Sequence, residues 1–200
     1  MLDTHLEIKK IYDNEESDHI FKELDKIPTR YRLEYKRFGK PAVVPRGQTA
    51  YTTDDTIYYN YGNIAGGSPN VSVMNDFLLK ICNDVNKSLN TNFNTILLNK
   101  YKNGLDGIGL HKDNMNGWVK DTGFATIAFG NERDFHIKED ESNILTTVLH
   151  KRGEVIHFKH PLNLHFRHGI PKRKRINDCR ISLTFREIFT KKKCNHSYKI

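Results

Sequence analysis

The chain has 200 residues, a formal net charge of +8 at pH 7 and three cysteines. This length suits one domain over residues 1–200 and is short for two, and three cysteines without paired spacing argue against a disulfide scaffold or a structural zinc site. The apolar runs are too short to cross a membrane and the polar N-terminus lacks a secretory stretch, so we expect a soluble, intracellular protein with no membrane partner.

Two helices are predicted in the first half of the chain. Asn14 or Ser17 is a suitable N-cap for a helix that continues to about Lys26. A second helix is predicted over residues 72–89, where apolar residues recur at helical spacing. Short strands separated by turns rich in Gly, Asn and Asp are predicted at 33–38, 42–51, 95–101, 108–111, 123–130, 133–137, 146–149, 154–158, 165–169 and 180–188. This pattern favours a mainly β (α+β) fold, namely a double-stranded β-helix of the jelly-roll type with N-terminal helices.

Two possible metal ligands lie two residues apart in His111-Lys112-Asp113. On a strand, residues with this spacing point to the same face, so both side chains can reach one ion while Lys112 faces away. A third ligand has to come from a distant strand, and His168 is the best candidate. Two histidines and one carboxylate leave positions open for a cosubstrate and dioxygen, which is typical of non-haem Fe(II) oxygenases. Because His-x-Asp also occurs by chance, this interpretation depends on the residues downstream.

A pair of arginines lies six residues apart in the segment Arg180-Ile-Ser-Leu-Thr-Phe-Arg186, which alternates like a half-buried strand. One face carries both arginines with Ser182 and Thr184, and the other face is apolar. Two arginines on an inward face need anions, and a dicarboxylate such as 2-oxoglutarate supplies them because the guanidinium fork matches a carboxylate. The alternative is an exposed strand whose arginines face water.

Together with other segments, these motifs resemble the AlkB-type Fe(II)/2-oxoglutarate-dependent dioxygenases, and most closely the duplex-DNA repair demethylases of animals. The matching segments follow the family's order over nearly the whole chain. They are Arg37-Phe-Gly-Lys40, Val44-Pro-Arg-Gly-Gln48 with Tyr51, Leu98-Asn-Lys-Tyr101 with Gly104, Ile108-Gly-Leu-His111-Lys-Asp113, Arg133-Asp-Phe135, Lys159-His-Pro-Leu-Asn-Leu-His165 with His168, and Arg180 to Arg186.

The resemblance implies oxidative demethylation of N-alkylated bases in DNA, of the 1-methyladenine and 3-methylcytosine type, with release of formaldehyde, succinate and CO2. The implied cofactor is Fe(II), held by His111, Asp113 and His168, and the cosubstrates are 2-oxoglutarate and O2. Residues 1–95 would form the N-terminal helices and a nucleotide-recognition lid, and residues 96–190 the dioxygenase core. The implied 2-oxoglutarate contacts are Asn99, Tyr101, Arg180, Thr184 and Arg186.

The resemblance also suggests how a damaged base is reached, because a base inside a duplex must be flipped out of the stack. Phe38, followed by Gly39 and Lys40, matches the position of an inserted aromatic finger, although a core phenylalanine is the alternative. The aromatic lid over the flipped base would come from Tyr58, Tyr59 and Tyr61.

The chain departs from the family pattern after the second ligand. Asn114 and Met115 stand where the duplex-directed relatives have acidic residues that contact the damaged base. An amide carbonyl still accepts a hydrogen bond, but the negative charge is gone. Ser182 replaces the usual asparagine beside the cosubstrate, and Arg37 replaces an apolar residue before the finger. These changes affect the expected base and duplex preference and leave the metal and cosubstrate sites intact.

The positive charge favours a polyanionic partner, because neutralising phosphates releases condensed counterions. The best candidates for phosphate contacts follow His168 along the chain and are Lys172, Arg173, Lys174 and Arg175. DNA is the expected partner, and we expect a monomer. The alternatives are an RNA demethylase of the same family, a nucleic-acid binding module with a vestigial metal site, and a protein hydroxylase on the same fold.

Overall fold

The computed structural model describes residues 1–31, 34–37, 40–57, 59 and 71–190, with the backbone alone described at 34–37, 41 and 42. The helices are α1 (Leu2–His5), α2 (Asn14–Asp25), α3 (Asp76–Leu89) and α4 (Leu162–His165). The strands are β1 (Leu6–Lys10), β2 (Arg30–Tyr31), β3 (Glu34–Arg37), β4 (Lys40–Val43), β5 (Gly47–Thr52), β6 (Val71–Val73), β7 (Thr95–Tyr101), β8 (Ile108–His111), β9 (Phe124–Gly130), β10 (Arg133–Glu139), β11 (Leu145–His150), β12 (Glu154–Phe158), β13 (Phe166–Ile170) and β14 (Arg180–Arg186).

Most of these strands belong to two sheets. The large sheet has the order β1-β12-β9-β14-β7-β5-β2, and β6 adds to β5 as a parallel neighbour. The small sheet has the order β11-β10-β13-β8, and β3 and β4 form a separate antiparallel pair. Most neighbours along the two sheets are not consecutive in the chain, as in a jelly roll, and the predicted mainly β fold is confirmed.

The large sheet separates two hydrophobic cores. On its outer face, Leu24 of α2 and Ile81 of α3 pack with Ile96 and Leu98 of β7. On its inner face, side chains such as Leu97 pack against the apolar side chains of the small sheet. Because side chains alternate along β7, the residues that follow Leu97 at every second position also point between the sheets.

The same alternation holds on β14, as predicted. Ile181, Leu183 and Phe185 lie in the outer core, and the polar residues of the strand point between the sheets. The prediction that this strand is half-buried is wrong, because helices cover one face and the small sheet covers the other, so that every residue of β14 is buried. The arginines are therefore placed in the interior of the sandwich.

Several predicted boundaries are corrected by the structure. The N-cap of α2 is Asp13, whose side chain accepts a hydrogen bond from the Glu16 N–H in a capping box, and not Asn14 or Ser17. The second helix begins at Asp76 after the cap Asn75, because the residues predicted as its first turn pair with β5 as strand β6.

The predicted strand over 42–51 is interrupted between β4 and β5. Pro45 cannot donate to a sheet ladder, and the Arg46 N–H turns back to the carbonyl of Val44 at 2.9 Å. Strand β1 was not predicted, and His165 ends α4 instead of beginning a strand. Among the described residues, no helix combines the length and the apolar character that crossing a bilayer requires.

Candidate metal and cosubstrate site

The three predicted metal ligands meet at one edge of the small sheet. Strands β8 and β13 pair so that His111 lies opposite His168, and Asp113 follows two residues after His111. One ligand atom from each of the three side chains lies within 4.8 Å of the other two. Asp113 Oδ1 is 3.3 Å from His111 Nε2 and 3.7 Å from His168 Nε2. This donor set, with two imidazoles and one carboxylate, fits a divalent transition metal with open coordination positions.

Neighbouring groups orient each ligand. The His111 Nδ1 lies 2.9 Å from the carbonyl of Gly109, which can only accept, so Nδ1 donates this bond and Nε2 is the ring nitrogen available to a metal. Asn163 clamps Asp113 through two backbone hydrogen bonds, since its Oδ1 accepts from the Asp113 N–H at 3.0 Å and its Nδ2 donates to the Asp113 carbonyl at 2.9 Å.

The ring of His168 is enclosed by aromatic side chains. Its centroid lies 4.9 Å from that of Phe124, 5.7 Å from that of Phe135 and 5.5 Å from that of Phe158. Burial is the main cause that lowers the pKa of His168 to about 3. The imidazole is therefore neutral, which is the form that binds a metal.

Asp113 is held ionised in spite of its burial. Burial alone would raise the pKa of its carboxyl, but the Arg186 guanidinium and the two neighbouring imidazoles outweigh it, and the pKa lies well below its usual value. Arg186 contacts Asp113 Oδ2 through Nε at 3.1 Å and through Nη2 at 2.5 Å. Its Nη1 donates to the hydroxyl of Tyr59 at 2.9 Å, and its Cζ lies 5.6 Å from the centre of the Trp118 ring.

A pocket opens between the two sheets beside these residues. The structure brings together all eight residues that were predicted for metal and 2-oxoglutarate. They line this pocket as Asn99, Tyr101, His111, Asp113, His168, Arg180, Thr184 and Arg186. The pairing of β14 with β7 sets Arg180 opposite Tyr101 and Ser182 opposite Asn99, which explains why these residues share one wall.

Asn99 is oriented by two buried side chains. Its Oδ1 accepts from Arg46 Nε and from Gln48 Nε2, both at 2.8 Å. With the carbonyl end occupied in this way, the amide nitrogen remains to donate toward the pocket. An acceptor such as a carboxylate or keto oxygen complements it.

Arg180 is a fully buried cation in the same pocket, with 1% of its surface exposed. Its hydrogen bonds go to His150, at 3.0 Å to the ring Nδ1 and at 3.4 Å to the carbonyl oxygen, and its Nε has no partner among the described residues. Burial is the main cause that lowers its pKa to about 10. Within the described part of the chain no carboxylate lies within salt-bridge distance of it. A buried charge of this kind is costly unless a ligand supplies the anion, so the pocket fits a carboxylate group.

The residues predicted to contact the base are only partly described. Phe38, Gly39, Tyr58 and Tyr61 lie outside the described residues. Lys40 is exposed, and its backbone lies opposite that of Arg37 where β3 and β4 pair. Tyr59 is buried, and its hydroxyl accepts from Arg186, which also contacts Asp113. Asn114 is exposed, and its side-chain oxygen accepts from the Asn116 N–H at 3.0 Å.

The basic residues after β13 form an exposed loop. Lys172, Arg173, Lys174 and Arg175 are all exposed, and Arg173 forms an ion pair with Asp134. Reciprocal backbone hydrogen bonds attach this loop to Gly104, which donates to the carbonyl of Ile176 at 2.7 Å and accepts from the Arg173 N–H at 2.8 Å.

Several residues around the site were not assigned a role from the sequence. Asn163, Arg46 and Gln48 lie in segments that carry the family resemblance, and that was the available signal for them. His150 was also given no role, and nothing in its local sequence indicates a contact with Arg180. Arg133 is buried and donates to the carbonyls of Asn103, Asp106 and Pro171, behind the pocket.

The class that this fold and this donor set define is the oxygenases that use Fe(II) and 2-oxoglutarate. The family model described as the 2OG-Fe(II) oxygenase superfamily matches residues 5–186, and the chain belongs to that superfamily. The resemblance to AlkB-type proteins is confirmed by relatives named DNA oxidative demethylase ALKBH2. The human protein is 30% identical over 194 residues, which cover 92% of this chain and 73% of the relative. The mouse protein is 29% identical over 196 residues, which cover 92% of this chain and 80% of the relative.

The fold is also similar to a solved structure. OsALKBH1 superimposes with a TM-score of 0.61 and 15% sequence identity, covering 92% of this chain and 98% of that one. At this identity the likeness concerns the fold alone.

Proposed function

We propose that this protein is a DNA oxidative demethylase that acts on bases of the 1-methyladenine and 3-methylcytosine type. The observation that carries the proposal is the combination, in one pocket, of the His111, Asp113 and His168 donors with the buried Arg180, which has no carboxylate partner among the described residues. The pocket thus provides a metal site and a neighbouring cationic site for a dicarboxylate.

Fe(II) held by His111, Asp113 and His168 would supply, with 2-oxoglutarate and O2, an oxidation in which one oxygen atom would enter succinate as CO2 leaves and the other would convert the N-methyl group to N-hydroxymethyl. The carbon–nitrogen bond of that group then breaks to give formaldehyde and the repaired base. The protein contributes by binding, orienting and excluding water. The aromatic enclosure of His168 by Phe124, Phe135 and Phe158 supports a dry site around the reacting groups.

The division of work among the pocket residues follows from their partners. The metal is held by His111, Asp113 and His168. Arg180 binds the carboxylate of 2-oxoglutarate that is farther from the metal. Arg186 already neutralises Asp113 Oδ2, so its first role is to orient that ligand, and it also lines the pocket in which we propose that the cosubstrate binds. The remaining 2-oxoglutarate contacts in this proposal are Asn99, Tyr101 and Thr184.

The substrate assignment rests on charge and on the relatives. The net charge of +8 and the exposed basic loop at 172–175 support a nucleic-acid partner, and the ALKBH2 relatives are named for DNA demethylation. We retain Phe38, Gly39 and Lys40 as the proposed finger and Tyr58, Tyr59 and Tyr61 as the proposed lid. Asn114 offers the base an amide in place of a carboxylate. We therefore expect a weaker preference for a protonated or cationic base than in duplex-directed relatives.

We further propose that residues 1–200 form one domain and act as a monomer inside the cell. Strands β5 and β2 come from the N-terminal half and extend the same sheet as β7 and β14, which supports a single domain. One chain supplies all the pocket residues described above, which supports a monomeric enzyme.

The proposal is tested by mass spectrometry on a panel of methylated oligonucleotides, as single and double strands of DNA and RNA. We expect wild-type protein to remove methyl groups from DNA and release formaldehyde only when Fe(II) and 2-oxoglutarate are present. His111→Ala should abolish turnover, and the matched variant His136→Ala, on the small sheet but outside the pocket, should retain it. Turnover restricted to RNA would reassign the substrate, and absence of turnover on every methylated nucleic acid contradicts the proposal.

The finger is tested separately by Phe38→Ala. If Phe38 takes the place of the flipped base in the stack, Phe38→Ala should lower activity on duplex DNA by about tenfold or more, because stacking contributes about 1–3 kcal/mol per base. Activity on single strands should change little. Equal losses on both substrates assign Phe38 to the core instead.

A further inference from the structure

We propose that His150 is a positioning residue that holds Arg180 in the orientation needed to bind the remote carboxylate of 2-oxoglutarate. The inference rests on the proposed function, because it assigns a specific task to a residue next to the proposed cosubstrate site. His150 itself does not line the pocket, so it acts through Arg180 and is not in contact with the reacting atoms.

The hydrogen bonds of His150 select one protonation state. It is the last residue of β11 and is fully buried, and its Nε2 lies 2.9 Å from the carbonyl oxygen of Glu154. A carbonyl can only accept, so Nε2 carries the proton, and Nδ1 is left to accept from Arg180 Nη2 at 3.0 Å. The guanidinium can only donate, so both contacts are satisfied by the same neutral tautomer. Burial, and then the Arg180 charge, hold the pKa of His150 well below its usual value.

The contact joins the two walls of the pocket. His150 belongs to the small sheet, where it lies opposite Arg133, and Arg180 belongs to the centre of the large sheet. A second bond, from Arg180 Nη1 to the His150 carbonyl at 3.4 Å, adds to the one from Nη2. Packing of the His150 ring against Phe135, with centroids 5.9 Å apart and planes nearly perpendicular, restrains the imidazole in turn. The guanidinium plane is therefore oriented from across the sandwich.

Because the side chain at position 150 is an imidazole and not a carboxylate, it binds Arg180 without neutralising the charge of the guanidinium. A carboxylate at position 150 would also hold Arg180, but it would neutralise the cation before any ligand arrives. A neutral acceptor fixes the geometry and leaves the charge uncompensated. The neighbouring Arg133, which also lowers the pKa of Arg180, keeps this part of the pocket positive. The arrangement is what a pre-organised site for a dianionic cosubstrate requires.

Three substitutions separate these contributions. His150→Leu removes the acceptor and keeps an apolar side chain of moderate size, His150→Asn returns an acceptor oxygen near the Nδ1 position, and His150→Asp adds a competing anion. For the metal-loaded protein, we measure the dissociation constant of 2-oxoglutarate by calorimetry, the thermal shift it produces, and kcat with KM for 2-oxoglutarate and for the methylated oligonucleotide.

For His150→Leu we expect the dissociation constant and the KM for 2-oxoglutarate to rise by about tenfold, the value of a hydrogen bond to a charged group. The KM for the oligonucleotide should change by less than about twofold. His150→Asn should recover most of the affinity, and His150→Asp should bind 2-oxoglutarate more weakly than His150→Leu. A merely structural role would lower the melting temperature of the unliganded protein without this selective change in KM.

The inference is overturned if the wild type binds 2-oxoglutarate and His150→Leu binds it equally well, or if His150→Asp binds it as tightly as His150→Asn. Those outcomes leave the proposed function standing. If the wild type itself neither binds nor consumes 2-oxoglutarate, the proposed function fails and the inference fails with it. The two failures are thus distinguished by the behaviour of the wild type.

Discussion

Arg186 binds only one of the two carboxylate oxygens of Asp113. Arg186 occupies Oδ2 through two of its nitrogens, while Oδ1 faces the imidazole nitrogens of His111 and His168. The arginine therefore keeps the carboxylate charged and turned so that one oxygen remains for a metal. A residue expected to bind the cosubstrate is, in this structure, also the orienting partner of a proposed metal ligand.

Arg186→Lys should weaken metal binding although the charge is retained. A lysine ammonium lacks the planar fork that contacts Asp113 and the Tyr59 hydroxyl together. We expect the affinity for Fe(II), or for Co(II) as a spectroscopic substitute, to fall by about tenfold to a hundredfold. Titration of the metal monitored by absorbance measures this. Arg152→Lys, at an arginine paired with the exposed Asp18, is the matched control and should bind metal like the wild type.

Asn163→Ala should loosen Asp113 without touching the ligands themselves. The substitution removes both hydrogen bonds to the Asp113 backbone and leaves its N–H and carbonyl to find water. Metal affinity should fall by about tenfold or more, whereas Leu164→Ala, at the exposed neighbour, should leave it unchanged. If Asn163→Ala binds metal like the wild type, the clamp has no functional role.

Gly104→Ala should disturb the attachment of the basic loop. A Cβ at Gly104 would overlap the backbone carbonyl oxygen of Arg173, and backbone cannot yield as a flexible side chain does. We expect a loss of about 2 kcal/mol or more in the free energy of unfolding, measured by urea denaturation, and weaker binding of DNA. Gly109→Ala is the control for stability, because a Cβ at Gly109 meets nothing within 4 Å.

Lys174→Ala should change the salt dependence of DNA binding. If the exposed Lys174 contacts a phosphate, the slope of log K against log salt concentration should decrease in magnitude by about 1. Fluorescence anisotropy with a labelled oligonucleotide at several salt concentrations gives the slope. Lys22→Ala, on the exposed side of α2, should leave it unchanged, and equal slopes for both variants would remove Lys174 from the phosphate contacts.

His157 should make the protein less stable in acid. Burial is the main cause that lowers its pKa from 6.5 to about 4 in the folded state, Lys159 acts in the same direction and Glu7 opposes it. Between these two values the unfolded chain binds more protons than the folded one, so the free energy of unfolding falls as the pH drops from about 6.5 to about 4. Below the lower value this contribution levels off.

The comparison with His157→Gln isolates that contribution. In urea titrations at a series of pH values, the wild type should lose up to about 1.4 kcal/mol per pH unit more than the variant within the window. Parallel curves for the two proteins would show that His157 is not buried in its neutral form.

Part of the site is readable from local spacing. The two-residue interval between His111 and Asp113 and the alternation from Arg180 to Arg186 depend only on the period of a strand, so which side chains share a face follows from the chain itself. One error occurred where tertiary pairing overrides a local pattern. Residues 72 and 73 continue a helical periodicity but belong to β6, because pairing with β5 satisfies their backbone.

The sequence by itself determined the jelly-roll class, the three proposed metal ligands and the face that carries both arginines. Only the tertiary structure decided what those residues contact. It places His111 opposite His168 through the pairing of β8 with β13. It also pairs Asp113 with Arg186 and brings His150 into hydrogen-bond contact with Arg180. The two residues of each pair lie at least 30 residues apart in the chain, and the separation is smallest for His150 and Arg180. The physical reason is that strand periodicity is local, while the register between strands depends on how both sheets pack their cores.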